Sequence, residues 1–157
     1  MRKSALTGLV LVASMMIGCG QNPMAAIYNN DSRIASDGNS YNFYADVDQD
    51  WEDSSYTATV NGMDGMDTVW SCNADDDSIV EIDFDMGLST GAAKLVFIDP
   101  DGKLETIVEC SSEGAETGSK TVKIKKGNNR IKLVCRDKAE LDMALSIDTG
   151  AFEKLGF

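Results

Sequence analysis

From residue 54 onward, apolar and polar positions alternate with a period of two, the spacing of a half-buried strand. Tyr56, Ala58 and Val60 share one face of 56–61, with Thr57, Thr59 and Asn61 on the other. Met66, Thr68, Trp70 and Cys72 share a face of 66–72. Segment 80–86 sets Val80, Ile82, Phe84 and Met86 against Glu81, Asp83 and Asp85. Residues 93–99 are apolar on both faces, which predicts a strand covered on both sides. Leu104, Thr106, Val108 and Cys110 align in 104–110, and Val122 and Ile124 align in 121–125. In 130–136, Ile131, Leu133 and Cys135 alternate with Arg130, Lys132 and Arg136, Val134 excepted. Leu141, Met143, Leu145 and Ile147 close the series. Ile82, Phe84, Leu133 and Leu145 are therefore expected in the core. No stretch carries a sustained 3.6-residue period.

Turn residues punctuate the runs. Asp99-Pro100-Asp101-Gly102 combines a fixed proline φ with a glycine suited to positive φ. Gly127-Asn128 is read as a hairpin turn after Lys126, and Gly62 to Gly65 and Ser89 to Gly91 as two further turns. The tail from Gly150 offers Phe152 and Leu155 to the core. Short strands at regular spacing predict an all-β fold: a single antiparallel β-sandwich of about eight or nine strands over residues 41–157.

The stretch 41–53, YNFYADVDQDWED, begins as a strand, with Tyr41, Phe43, Ala45 and Val47 alternating. Asp46, Asp48 and Asp50 then repeat the spacing of a calcium loop, but Trp51 stands where that loop needs Gly and Thr57 where it needs Glu. The reading is a solvated acidic loop with no metal site. Tyr44 and Trp51 are the aromatic candidates for stacking on a sugar ring, but the favoured reading makes Tyr41, Phe43 and Trp51 core or core-edge residues of an early strand.

The N-terminus differs in kind. Arg2-Lys3 precedes an apolar run from Ala5 to Ile17 that is too short for a membrane span of roughly 20 residues. A basic flank before a short apolar run predicts a signal peptide over 1–18. Met16-Ile17-Gly18-Cys19 resembles the bacterial lipobox, in which a small residue precedes an acylated cysteine. Met16 and Ile17 depart from the usual Leu and Ala or Ser. The resemblance implies cleavage before Cys19, acylation of its sulfur, and attachment to the extracytoplasmic face of the cell membrane. Ordinary secretion, with cleavage near Ala25 or Ala26, is the alternative. Residues 20–40 are polar and aperiodic, so 19–40 is read as a lipidated flexible tether.

Composition narrows the chemistry. Among 157 residues, 26 are acidic and 14 basic, a net charge of −12, and loss of Arg2 and Lys3 with the leader makes the chain more acidic still. That balance argues against nucleic acid as a partner. There is no histidine, which removes the commonest general base and metal ligand. Cys72, Cys110 and Cys135 fall on apolar faces and are read as small buried hydrophobes, with a disulfide between two of them as the alternative. They lack the CxxC spacing of a zinc site. Strand 80–86 is acidic outside, whereas 121–136 places Lys123, Lys125, Arg130, Lys132 and Arg136 outside. Pairing of that basic face with 80–86, Asp142 or Asp148 is expected. Asp75 to Asp77 reads as a solvated turn.

The segments Lys94 to Gly102 and Lys126 to Val134 also resemble small β-sandwich modules of lipoproteins from Gram-positive bacteria. Some sandwich relatives of those modules bind carbohydrate. The combined expectation is a membrane-anchored lipoprotein with a non-catalytic binding or structural domain and no cofactor. Its partners would be membrane lipid, through acylated Cys19, and a glycan or envelope protein. A carbohydrate-binding module is the alternative, and a hydrolase using paired carboxylates a further one.

Overall fold

The computed structural model describes residues 22–156. Cys19, the leader and the first residues of the expected tether lie outside them. The fold is all-β and antiparallel, with eight strands: β1 (Ser40–Phe43), β2 (Val47–Trp51), β3 (Ser55–Ala74), β4 (Ser78–Ile98), β5 (Leu104–Cys110), β6 (Gly114–Ile124), β7 (Gly127–Ser146) and β8 (Ala151–Phe152). The sheet runs β1-β3-β7-β4-β5, with β2 and β8 also on β3 and β6 also on β4.

The strand count agrees with the sequence reading, but the strands are composed differently. Segments 56–61 and 66–72 form one strand, as do 80–86 with 93–99 and 130–136 with 141–147. Gly62 to Gly65 and Ser89 to Gly91 are bulges through which these strands continue, because each has a partner strand on both sides of the irregularity. The irregularities align across the sheet. Gly65 (φ 104°), Gly91 (φ 77°) and the pair Asp137 and Lys138 (φ 59° and 52°) sit on β3, β4 and β7.

Along this line the sheet folds back on itself. If β3 ran straight, Tyr56 and Trp70 would stand roughly 45 Å apart at about 3.3 Å per residue. Phe152, which pairs with Trp70, instead stacks on Tyr56 with ring centroids 5.4 Å apart. The first layer is β2, the N-terminal halves of β3 and β4, the C-terminal half of β7, and β6. The second layer is β1, β8, the remaining halves and β5. One core fills the space between them, including Tyr56, Val60, Ile82, Met86, Leu95, Trp70, Leu133 and Leu145. Phe84, expected in this core, is half-buried with its ring over Gly118.

The bulges also move faces. A register shift between Thr68 and Trp70 puts Trp70 in the inter-layer core while Met66 faces outward, so the predicted shared face does not form. A shift opposite Leu95 and Val96 likewise separates Leu104 and exposed Thr106 from buried Val108 and Cys110. Gly127-Asn128 closes no hairpin: β6 pairs with β4 whereas β7 pairs with β3 and β4, so 124–127 steps between layers. The Asp99–Gly102 turn forms as expected. Gly102 N–H donates to the Asp99 carbonyl at 2.9 Å, and the Asp99 carboxylate accepts from Asp101 and Lys103 N–H, each at 2.9 Å.

The described part of the expected tether is packed. A 3-10 helix (Ala25–Asn29) and α1 (Asp31–Ile34) lie on the outer face of the second layer. Ile27, Tyr28 and Ile34 are buried with Met66, Ala92, Val96, Ile98 and Val134. This explains why 93–99 is apolar on both faces: one side meets the core and the other meets this strap. It also corrects the basic outer face of 130–136. Lys132 is fully buried, donating to the carbonyls of Ser36 (2.7 Å) and Gly38 (2.8 Å). Arg130 is buried against Asp37 and the Ala35 carbonyl. Lys125 pairs with Asp99 (2.6 Å) and Asp101 (2.7 Å), so strand 80–86, Asp142 and Asp148 are not the partners of these three cations.

Gly91 is expected to be intolerant of a side chain. Its φ is left-handed, and a Cβ there would meet the Arg136 carbonyl oxygen at 2.5 Å and Ala139 Cα at 2.9 Å. Gly91→Ala is expected to cost at least about 1–3 kcal/mol. Urea unfolding checks this, and an unchanged midpoint would refute the fold-back geometry at β4.

Candidate functional site

The strap covers the outer face of the second layer, but the corresponding face of the first layer stays open. Cross-strand register places its side chains in rows. Asp50, Thr57, Ala144, Asp85 and Thr117 form one row, and Asp48, Thr59, Asp142, Gly87 and Ala115 the next. Small residues at Ala144 and Gly87 leave a trough between flanking carboxylates and hydroxyls. The resulting groove encloses about 470 Å³ and is lined by Asp48, Asp50, Thr57, Thr59, Asp85 and Asp142 with the backbone between them. Thr59 Oγ1 donates to Asp142 Oδ1 at 2.5 Å, which fixes the Asp142 carboxylate across two strands. Neither row carries a cation or an aromatic ring.

Gly87 stands out in this groove. It occupies mid-strand in β4, where glycine costs strand stability. A Cβ built on it would find no atom within 4 Å, and its φ is not left-handed. Neither packing nor backbone conformation requires glycine there. What its small size does is keep the floor of the groove open to close approach.

Asp48 and Asp50 thus reach the groove from strand β2, where the sequence suggested a loop: the β2–β3 ladder from Val47–Val60 to Trp51–Tyr56 extends this stretch. Asp46 lies outside the groove. Among the described residues, no group of three or more Asp, Glu, Cys or His side chains is placed to hold a metal ion. The two aromatic candidates are not brought together. Trp51 stacks on Tyr56, ring centroids 6.3 Å apart, on the face of β2 opposite Asp50. Tyr44 lies at the fold-back line, where its hydroxyl donates to Asp64 at 2.7 Å and Lys138 Nζ sits 4.9 Å from its ring centre. The groove residues outside 46–50 carry no motif. Their signal was the run of small and polar outward positions on four separate segments, which becomes a site only once the register is known.

Cys72, Cys110 and Cys135 are free thiols. Cys72 is half-buried, and burial pushes the Cys110 and Cys135 thiols up. Alkylation of the native protein is expected to modify Cys72 well before the other two, as checked by mass spectrometry of the peptides. Equal rates would contradict the placement of Cys110 and Cys135.

Two buried ionisable groups serve the fold. Asp67 is pushed up to about 6 by burial, despite accepting from the N–H groups of Gly156 (2.7 Å) and Thr68 (2.9 Å). Lys132 is lowered to about 8, by burial and then by Arg130. Between the ordinary carboxylate value of 3.8 and about 6, the folded state binds more protons at Asp67 than the unfolded state does. Its contribution to stability therefore falls as pH rises through that window. The stability of Asp67→Asn relative to wild type is expected to improve by about 2 kcal/mol between pH 4 and pH 7. Parallel denaturation curves for the two proteins would contradict this.

No family model matches the chain, and a comparison with curated proteins finds no match. Among solved structures, the chain is similar to a carbohydrate-binding module of lichenase 5A from Cellvibrio mixtus, determined in complex with cellotriose. The two are 12% identical with a TM-score of 0.37, over 60% of this chain and 77% of that one.

Proposed function

We propose that the chain is a lipid-anchored extracytoplasmic protein whose β-sandwich binds an oligosaccharide, without altering it, in the open groove of its first layer. The observation that carries the ligand reading is Gly87: a mid-strand glycine with free space above it, set among four carboxylates and two threonine hydroxyls. Carboxylates accept hydrogen bonds from sugar hydroxyls and threonine hydroxyls give or accept them, while a side-chain-free floor admits a ring face. An open sheet face does not exclude water from a reacting bond, so the groove suits binding better than carboxylate-assisted hydrolysis. The lipid anchor rests on the sequence Met16 to Cys19.

A glycan array probed with the full-length protein tests the first part. Asp142→Asn, which weakens an acceptor while the Thr59 contact stays feasible, is expected to lower binding to any positive glycan about tenfold. An array without positives, or hits indifferent to Asp142→Asn, would contradict the reading. Cys19→Ser is expected to abolish acyl labelling and release the protein from membranes or leave it unprocessed. Retained labelling would exclude Cys19 as the anchor.

A further inference from the structure

We propose that the fold-back edge of the sandwich is the surface that meets the lipid headgroups, so that the long strands stand away from the membrane. This rests on the lipid-anchor reading and adds an orientation to it. The reasoning starts from Asp64, a carboxylate buried at the fold-back line of β3. It accepts from Asn22 Nδ2 (2.6 Å), from the Tyr44 hydroxyl (2.7 Å) and from Lys138 N–H (3.0 Å). One buried group therefore ties the start of the described chain to the bends of both β3 and β7. Asn22 is further held by its contact with Tyr44 Oη at 3.2 Å, and its own carbonyl oxygen Oδ1 accepts from Met24 N–H at 3.1 Å.

Cys19 precedes Asn22 by three residues. At 3.8 Å between successive Cα atoms, their separation is at most about 11 Å. An acyl chain on Cys19 inserted in a bilayer therefore brings the headgroup layer to this edge. The opposite ends of the strands, such as Ser78 and its partner Ile124, lie thirteen residues of β4 beyond Gly91, or roughly 40 Å.

The side chains at the edge suit that surface. Lys138 projects beside Tyr44, while Lys94 and Arg136 lie over the Tyr28 ring at 4.7 and 5.0 Å. Asp137 and Glu140 share the edge, and Asp137 lies 3.6 Å from Arg136. The edge is thus mixed in charge, with Glu109, which accepts from the Tyr28 hydroxyl, opposite Lys94 as well; Lys94, Arg136 and Lys138 are the cations it offers to lipid phosphates, and the orientation itself rests on the Asn22 tie. The glycan groove then opens sideways, clear of the bilayer, on the outer face of the first layer.

The test uses the full-length, lipidated protein added to preformed vesicles of phosphatidylcholine and phosphatidylglycerol, recovered by flotation. Lysines are labelled with a membrane-impermeant amine reagent and read by peptide mass spectrometry, with the protein in mild detergent as reference. Protection of Lys138 and Lys94 at least threefold beyond that of Lys123 and Lys126 is the expected result. Flotation with uniform labelling, or with Lys126 the more protected, overturns the orientation while leaving the lipid anchor standing. Failure to float overturns the anchor, and the orientation with it.

Discussion

Trp70→Ala is expected to destabilise the protein by about 3–5 kcal/mol, among the largest losses any single truncation causes here. Trp70 is buried at 1% exposure in the core between the layers, and its indole N–H donates to the Thr149 carbonyl at 2.8 Å. Its backbone pairs with Phe152, which stacks on Tyr56 of the opposite layer. Truncation leaves a large cavity and an unpaired carbonyl, and loosens the C-terminal strand that bridges the layers. Urea denaturation with Trp70→Phe as a companion separates the two losses: Phe restores most of the volume but not the donor, and is expected to recover more than half of the stability. A Trp70→Ala protein as stable as wild type would show that the layers are not joined through this residue.

Lys132→Ala is expected to cost about 3 kcal/mol and to expose the strap to proteases. The Lys132 ammonium is lodged between the Ser36 and Gly38 carbonyls, 3.9 Å from the Met66 sulfur. Alanine removes the donor that both carbonyls share and leaves a cavity beneath the strap, offset in part because a desolvated charge is also removed. Lys132→Met refills the stem but not the donor and is expected to be intermediate. Limited proteolysis should cut near 35–39 faster in the alanine variant. Cleavage unchanged from wild type would mean that Ile27, Tyr28, Ile34 and the Arg130 contacts hold the strap without Lys132.

Much of the layering was legible in the sequence, and its failures have a common cause. Alternation reported which residues of Val122, Ile124, Leu141, Met143 and Leu145 go inward, because period two is a local property of a strand. The Asp99–Gly102 turn was legible for the same reason. Gly62 to Gly65 and Ser89 to Gly91 look like turns because bulges and turns both need positive φ. Only the partner strand, remote in sequence, decides between them. The strap was missed because Ile27, Tyr28 and Ile34 have no regular period over so short a segment, although the two-sided apolar strand 93–99 already required a cover. Lys132 looked exposed because a buried lysine is signalled by the carbonyls it meets, and those belong to residues about 95 positions earlier. The groove was half visible: Asp48 and Asp50 stand out in the sequence through the spacing of an incomplete calcium loop, while Thr57, Thr59, Asp85 and Asp142 acquire meaning only through register.

Gly87→Val tests the central claim, that the open face of the first layer is a glycan-binding groove. Valine suits a strand and meets no atom within 4 Å of its Cβ, so the melting temperature should hold or rise. Its branched side chain nevertheless stands on the groove floor between Asp142 and Ala115. Isothermal titration of wild type and Gly87→Val with the strongest oligosaccharide from the array is the measurement. The account predicts at least a tenfold loss of affinity in a protein no less stable than wild type; unchanged affinity in that folded variant would contradict it.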